Sequence, residues 1–152
     1  MDAEVHRTYR AYVLTNEIQD RARIIRTDRG RRVRTTVAQG RHVDLESVFG
    51  RINQQYFEGT LEKPQISWSA KRSRYILGRY DSTHHAIFIS RLFDTPKVPP
   101  FVLEYVMFHE MLHLRHQTQV KDSRVIVHTP EFKNEERRFA QYEDAKAWLR
   151  HC

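Results

Sequence analysis

The chain has 152 residues, 39% of them hydrophobic, and a formal net charge of +7. That length supports one domain with its own core, and no apolar run approaches a membrane span. The only cysteine, Cys152, is the last residue, which excludes a disulfide framework and a cysteine-rich metal site. Met1–His6 has no apolar stretch of the secretion-signal kind, so the cytoplasm is the expected compartment.

Residues 1–41 read as a basic N-terminal extension. Within it, from Arg21 to Arg41, the eight arginines Arg21, Arg23, Arg26, Arg29, Arg31, Arg32, Arg34 and Arg41 stand against one acid, Asp28, and this stretch alone carries the equivalent of the whole net charge of +7. Ala22 to Val37 is expected as a hairpin turning at Asp28-Arg29-Gly30, or as an arm. Such a cluster can dock on nucleic-acid phosphates through charge alone. No aromatic residue lies between Arg21 and Arg41, which argues against a stacking platform for single strands.

Asp44 to Phe57 is expected as a helix. Asp44 is its N-cap, Leu45, Val48, Phe49, Ile52 and Tyr56 form its apolar stripe, and Gly59 stops it. Gln65 to Ala70 alternates like a half-buried strand. Tyr75–Tyr80 and Ala86–Ser90 are two more strands, joined through Asp81-Ser82-Thr83 as a hairpin. After Pro96, Pro99 and Pro100, Phe101 to His116 is a helix apolar nearly all round, hence central and buried. Gln117–Ser123 reads as a polar loop and Arg124–Val127 as a short extended piece. A single last helix is expected over 130–150, capped by Thr129 with Pro130 at its first position. Phe132, Phe139, Tyr142, Ala145 and Leu149 form its apolar face.

The buried helix carries His109-Glu110-Met111-Leu112-His113. Histidines four apart share one helix face, so both imidazoles reach the same metal ion. The glutamate beside the first can take a proton from a water held there, which is the His-Glu-x-x-His arrangement of zinc hydrolases. A buried glutamate without a partner costs several kcal/mol, by order of magnitude, and no lysine or arginine lies between Phe101 and Leu114. A zinc site needs a third protein ligand. His116 is too far along a straight helix to join the other two and is expected at the surface or behind them. His128, held by Thr129-Pro130, is the favoured third ligand, with Glu131, Glu135 and Glu136 as rivals.

In their order along the chain, these elements resemble the SprT-like zinc metallopeptidases and their small single-domain bacterial relatives. Ile52–Phe57 through Leu61, with Pro64 and Trp68, is similar to that family's opening helix and first strand. Tyr75–Tyr80 and Ile87–Ser90 are similar to its hairpin. Val106–His113 corresponds to the metal helix, and His128-Thr129-Pro130-Glu131-Phe132 to the downstream His-x-x-x-Phe element that supplies the third ligand. The chain departs from the family at Thr129, where a glycine is frequent. The resemblance spans about residues 42–150 and implies an α+β, zincin-like single domain over 42–152. Its implied parts are an N-terminal helix, a small mostly antiparallel sheet, a central metal-binding helix and a C-terminal helix. It implies Zn2+ on His109, His113 and His128, with Glu110 as general base acting on a peptide or protein substrate.

An oxyanion donor is still required; Tyr75, Tyr80, His84, His85 and Tyr105 are the candidates. Ala86–Ser90 is expected to be an edge strand that holds the substrate extended. Two other functions compete with the peptidase reading. One is a nucleic-acid-associated module using Arg21–Arg41, which is compatible with cleavage of nucleic-acid-bound proteins. The other is a metal-dependent phosphoester or nucleotide hydrolase, against which stands the lack of a Gly-rich phosphate loop.

Overall fold

A computed structural model describes residues 37–70 and 76–150. The chain folds into an α+β arrangement of helices around a small sheet. Helix α1 (Leu45–Phe57) starts where the Asp44 side chain accepts the Glu46 N–H, and it buries Leu45, Val48, Phe49, Ile52 and Phe57. It ends in two left-handed residues, Glu58 (φ 54°) and Gly59 (φ 72°). Asn53 then ties the exit down, donating to the Leu61 carbonyl at 3.1 Å and accepting the Leu61 N–H at 3.2 Å.

Strands β1 (Gln65–Trp68), β2 (Gly78–Asp81) and β3 (Ala86–Ile89) form a sheet in the order β1-β3-β2. The β2–β3 hairpin is antiparallel, as the turn chemistry suggests, with Gly78 opposite Ile89 and Asp81 opposite Ala86. β1 pairs parallel to β3 instead, so the main sheet is mixed rather than mostly antiparallel. Ala86–Ile89 is therefore the central strand, which corrects its expected edge position. The chemistry fits: Ala86, Ile87 and Ile89 are wholly buried, as a strand covered on its edges and faces requires. β1 is not half-buried either, since Ile66, Ser67 and Trp68 are all buried, and consecutive strand residues face opposite sides.

A 3-10 turn, Arg91–Phe93, follows. Asp94 then accepts three successive backbone N–H groups, from Arg41 (2.7 Å), His42 (2.8 Å) and Val43 (3.1 Å). Val37 and Ala38 offer their carbonyls to the N–H groups of Trp68 and Leu45, so contacts with the domain begin by residue 37. The rest of the arginine-rich segment lies outside the described residues.

Helix α2 (Pro100–Arg115) has proline in its first turn, and every residue from Tyr105 to Leu112 is buried. It packs against α1, β2, β3 and both helices that follow. The expected polar loop after it instead supplies a strand. β4 (Gln119–Lys121) pairs antiparallel with β5 (Arg124–Ile126), through Asp122 (φ 51°) and Ser123 (φ 63°). Two central residues with positive φ are the hairpin turn whose twist suits antiparallel strands.

The expected last helix is two helices, α3 (Pro130–Glu136) and α4 (Tyr142–Arg150). Between them the ladder tightens to three-residue bonds, Arg138 N–H to Glu135 and Phe139 N–H to Glu136, and the Tyr56 hydroxyl accepts the Ala140 N–H at 3.0 Å. Phe139 turns inward against Phe108, Tyr56 and Tyr105. Aromatic packing breaks a helix that neither proline nor glycine marks. Among the described residues no helix is long and apolar enough to cross a membrane.

Candidate metal centre

The helical spacing puts His109 and His113 on one face of α2, and the β4–β5 hairpin returns the chain to bring in His128. Thr129 fixes that return, because its hydroxyl accepts the Phe132 N–H and starts α3. One nitrogen from each of His109, His113 and His128 lies within 4.8 Å of the others. Small side-chain rotations bring such atoms onto one ion at the ~2.0–2.1 Å of zinc–imidazole bonds. The donor set is neutral, borderline-soft and leaves a coordination position open, as a catalytic zinc requires.

The surroundings hold these rings in place. Phe132, fully buried, sits with its ring centroid 5.1, 4.8 and 4.9 Å from those of His109, His113 and His128. The Glu136 carboxylate meets His109 Nδ1 and accepts the Tyr105 hydroxyl at 3.2 Å. A carboxylate on Nδ1 fixes the tautomer and leaves Nε2 to face an ion. Burial pushes the Glu136 pKa up, but the His109 charge and hydrogen bond, with Lys146 and the Tyr105 hydroxyl, outweigh it and lower the pKa overall. Glu136 is therefore anionic at neutral pH, yet it lies outside the three-histidine group. Its place is behind His109, not among the three side chains that could hold an ion.

Glu110 is 2% exposed and lies against β2. A Cβ built on Gly78 would stand 2.9 Å from Glu110 Cγ, 3.0 Å from its Oε1 and 3.1 Å from Val106 Cγ1. Only a residue without a side chain lets the strand come this close to the helix.

The other candidates separate clearly. Tyr80 stacks on His113, with centroids 6.3 Å apart and planes 5° apart, and the His85 ring meets Tyr80 edge-on. His85 occupies a left-handed turn position (φ 48°). His84 is held in the turn by Asp81, Nδ1 to Oδ2 at 3.0 Å, and Tyr105 is committed to Glu136. Tyr75 lies outside the described residues. His116 closes α2 and pairs with Glu135 at 3.0 Å, which also binds Arg115 at 3.2 Å. His116 thus sits apart from the three histidines, as its position on a straight helix requires. Glu131 is exposed.

Sequence reasoning missed the parts played by Gly78, Phe132 and Glu136. An isolated glycine inside a strand pattern is a signal of close backbone approach, so Gly78 was detectable. Phe132 was marked only by the His-x-x-x-Phe resemblance and Glu136 only as a rival ligand; their spacing, that of any amphipathic helix, does not reveal the parts they play.

Comparison with protein families matches residues 45–151 to the SprT-like family. No curated protein and no solved structure matches the chain. A histidine pair on a buried helix, a third histidine carried in by the following element, and a family match over most of the chain agree: this protein belongs to the SprT-like family, which is associated with a zincin-like metallopeptidase fold.

Proposed function

We propose that this protein is a zinc-dependent peptidase, with His109, His113 and His128 as the ligands and Glu110 as the general base. The observation that carries the reading is the convergence of three imidazole nitrogens within 4.8 Å, on the helix that also bears a buried glutamate, in a SprT-like chain. When bound, zinc supplies Lewis acidity and brings the pKa of a water near neutrality. Glu110 would take a proton from the attacking water and deliver it to the leaving amine. Glu136 holds the His109 tautomer, and Phe132 restricts the three rings. Tyr80, stacked on His113, and His85, edge-on to Tyr80, are the candidate donors for the developing oxyanion. β2 lies at the sheet edge and packs on the metal helix, so β2 rather than β3 is the strand that would pair with an extended substrate.

The test is Glu110→Gln, with metal content and cleavage measured together. Gln is nearly isosteric but accepts no proton, so zinc stays and cleavage of casein or a quenched peptide falls at least about 10²-fold. Wild-type turnover by this variant would mean that another base operates. Elemental analysis of protein purified without added metal should find one zinc per chain, and His128→Ala should lower that occupancy.

A second role in binding nucleic acid rests on the charge of Arg21–Arg41. It is compatible with a peptidase acting on nucleic-acid-bound proteins. Binding of this kind weakens steeply with salt.

A further inference from the structure

A groove of about 520 Å³ opens beside the metal centre and is lined by His128, Pro130, Glu131, Lys133, Asn134 and Arg137. It meets the site at His128, the one member of the three-histidine group that lines it. From there it follows α3 outward. Lys133 and Arg137 are four residues apart and share one face of the helix. Among the described residues neither makes a salt bridge, and both are exposed. The one acid on the groove wall is Glu131, so the lining carries a net positive charge. This contrasts with the centre, whose acidic residues are Glu110 and Glu136.

We infer that this groove selects substrates bearing a carboxylate a few residues from the bond to be cut, through Lys133 and Arg137; the inference rests on the peptidase reading above. The geometry sets the distance. An extended peptide advances about 3.3 Å per residue, and α3 rises about 1.5 Å per residue. Lys133 and Arg137 follow His128 by five and nine positions, an offset along the helix that corresponds to roughly two to four extended substrate residues. A guanidinium and an ammonium one turn apart give a carboxylate two cationic donors. The carboxylate comes either from an internal aspartate or glutamate or from the free C-terminus of the substrate.

The test is a series of quenched peptides that differ only in Asp against Asn at successive positions, with the C-terminus either a free acid or an amide. For the position that reaches the groove, kcat/KM should be about 3- to 10-fold higher for the acid than for its amide counterpart, as expected for exposed charge pairs. A preference confined to the internal series identifies a side chain, and one confined to the C-terminal series identifies the chain end. The ratio should fall toward one in Lys133→Gln/Arg137→Gln and at high salt, and invert in Lys133→Glu/Arg137→Glu. Equal cleavage of acid and amide in both series, or a preference that survives the double substitution, overturns the inference while leaving the peptidase reading intact. Fluorescence anisotropy with zinc-loaded Glu110→Gln protein measures the same peptides without turnover. If the wild type cuts no peptide, the peptidase reading fails and anisotropy decides alone. Tighter binding of the acid peptides, lost in the Lys133/Arg137 double substitution, supports the groove assignment; equal binding rejects it.

Discussion

Two neighbouring glutamates on α3 each pair with a histidine on α2, and they do different things. Glu136 meets His109 with both side chains about nine-tenths buried, at 10% and 9% exposure. Glu135 meets His116 with side chains 17% and 19% exposed, and shares itself with Arg115. The residue types are the same and the positions adjacent. A carboxylate shielded from water orients a ring toward the centre, whereas a wetter one shared with an arginine ties the end of α2 to α3. The difference lies in surroundings, not in the pair.

The largest expected effect tests that contrast directly. Glu136→Ala should weaken zinc binding by about 10- to 100-fold, as loss of a carboxylate behind a ligating histidine does, measured by competition with a chelator. Glu135→Ala should leave zinc affinity unchanged and lower stability by at most about 1 kcal/mol. Equal losses of zinc affinity in the two variants would mean that burial does not separate the pairs.

A matched pair of glycines extends the comparison. Gly78→Ala drives a methyl to within 2.9 Å of Glu110 Cγ and should cost about 1–3 kcal/mol as overpacking, with a fall in activity if Glu110 is the base we propose. Gly50, in the middle of α1, has nothing within 4 Å of a built Cβ. Gly50→Ala should stabilise by about 0.5–1 kcal/mol. Thermal melts of both variants check the two signs.

A third acid–histidine pair, Asp81 with His84, supplies the smallest effect. Burial raises the Asp81 pKa, but the His84 side-chain and backbone hydrogen bonds, its charge and that of Arg79 lower it overall, below 3.8. A carboxyl depressed in the folded state contributes stability above its unfolded pKa, and that contribution is lost as pH falls through the lower folded value. Asp81→Asn should therefore destabilise at neutral pH and lose less stability than wild type on acidification below about pH 4. Denaturant melts at pH 7 and pH 3 test this. Parallel losses in both proteins would assign the acid sensitivity elsewhere.

Local chemistry was legible from residues alone. The Asp44 cap, proline in the first turn of α2, the histidine spacing and the Thr129-Pro130 start of α3 each depend on neighbours in sequence. The strand order was not legible, because the parallel partner of Gln65–Trp68 lies some twenty residues away and is chosen by the whole core. The break between α3 and α4 was hidden for a related reason. Phe139 keeps the helical spacing, yet its ring is drawn to Phe108 and Tyr56, and packing overrides period. Glu136 could be marked as a metal rival by its type, but only the approach of α3 to Tyr105 and His109 gives it a different place.

The β4–β5 hairpin has a consequence for how the protein endures heat and chelators. It already closes most of the chain between His113 and His128 into a paired ribbon. That pairing is made by backbone hydrogen bonds within the hairpin and needs no ion, so an ion joining those histidines would bind a return of the chain that is already ordered. Stripping the metal should therefore lower the melting temperature by mass action while leaving a cooperative fold, unlike small zinc domains that collapse without their ion. Reloading the metal would then require no refolding.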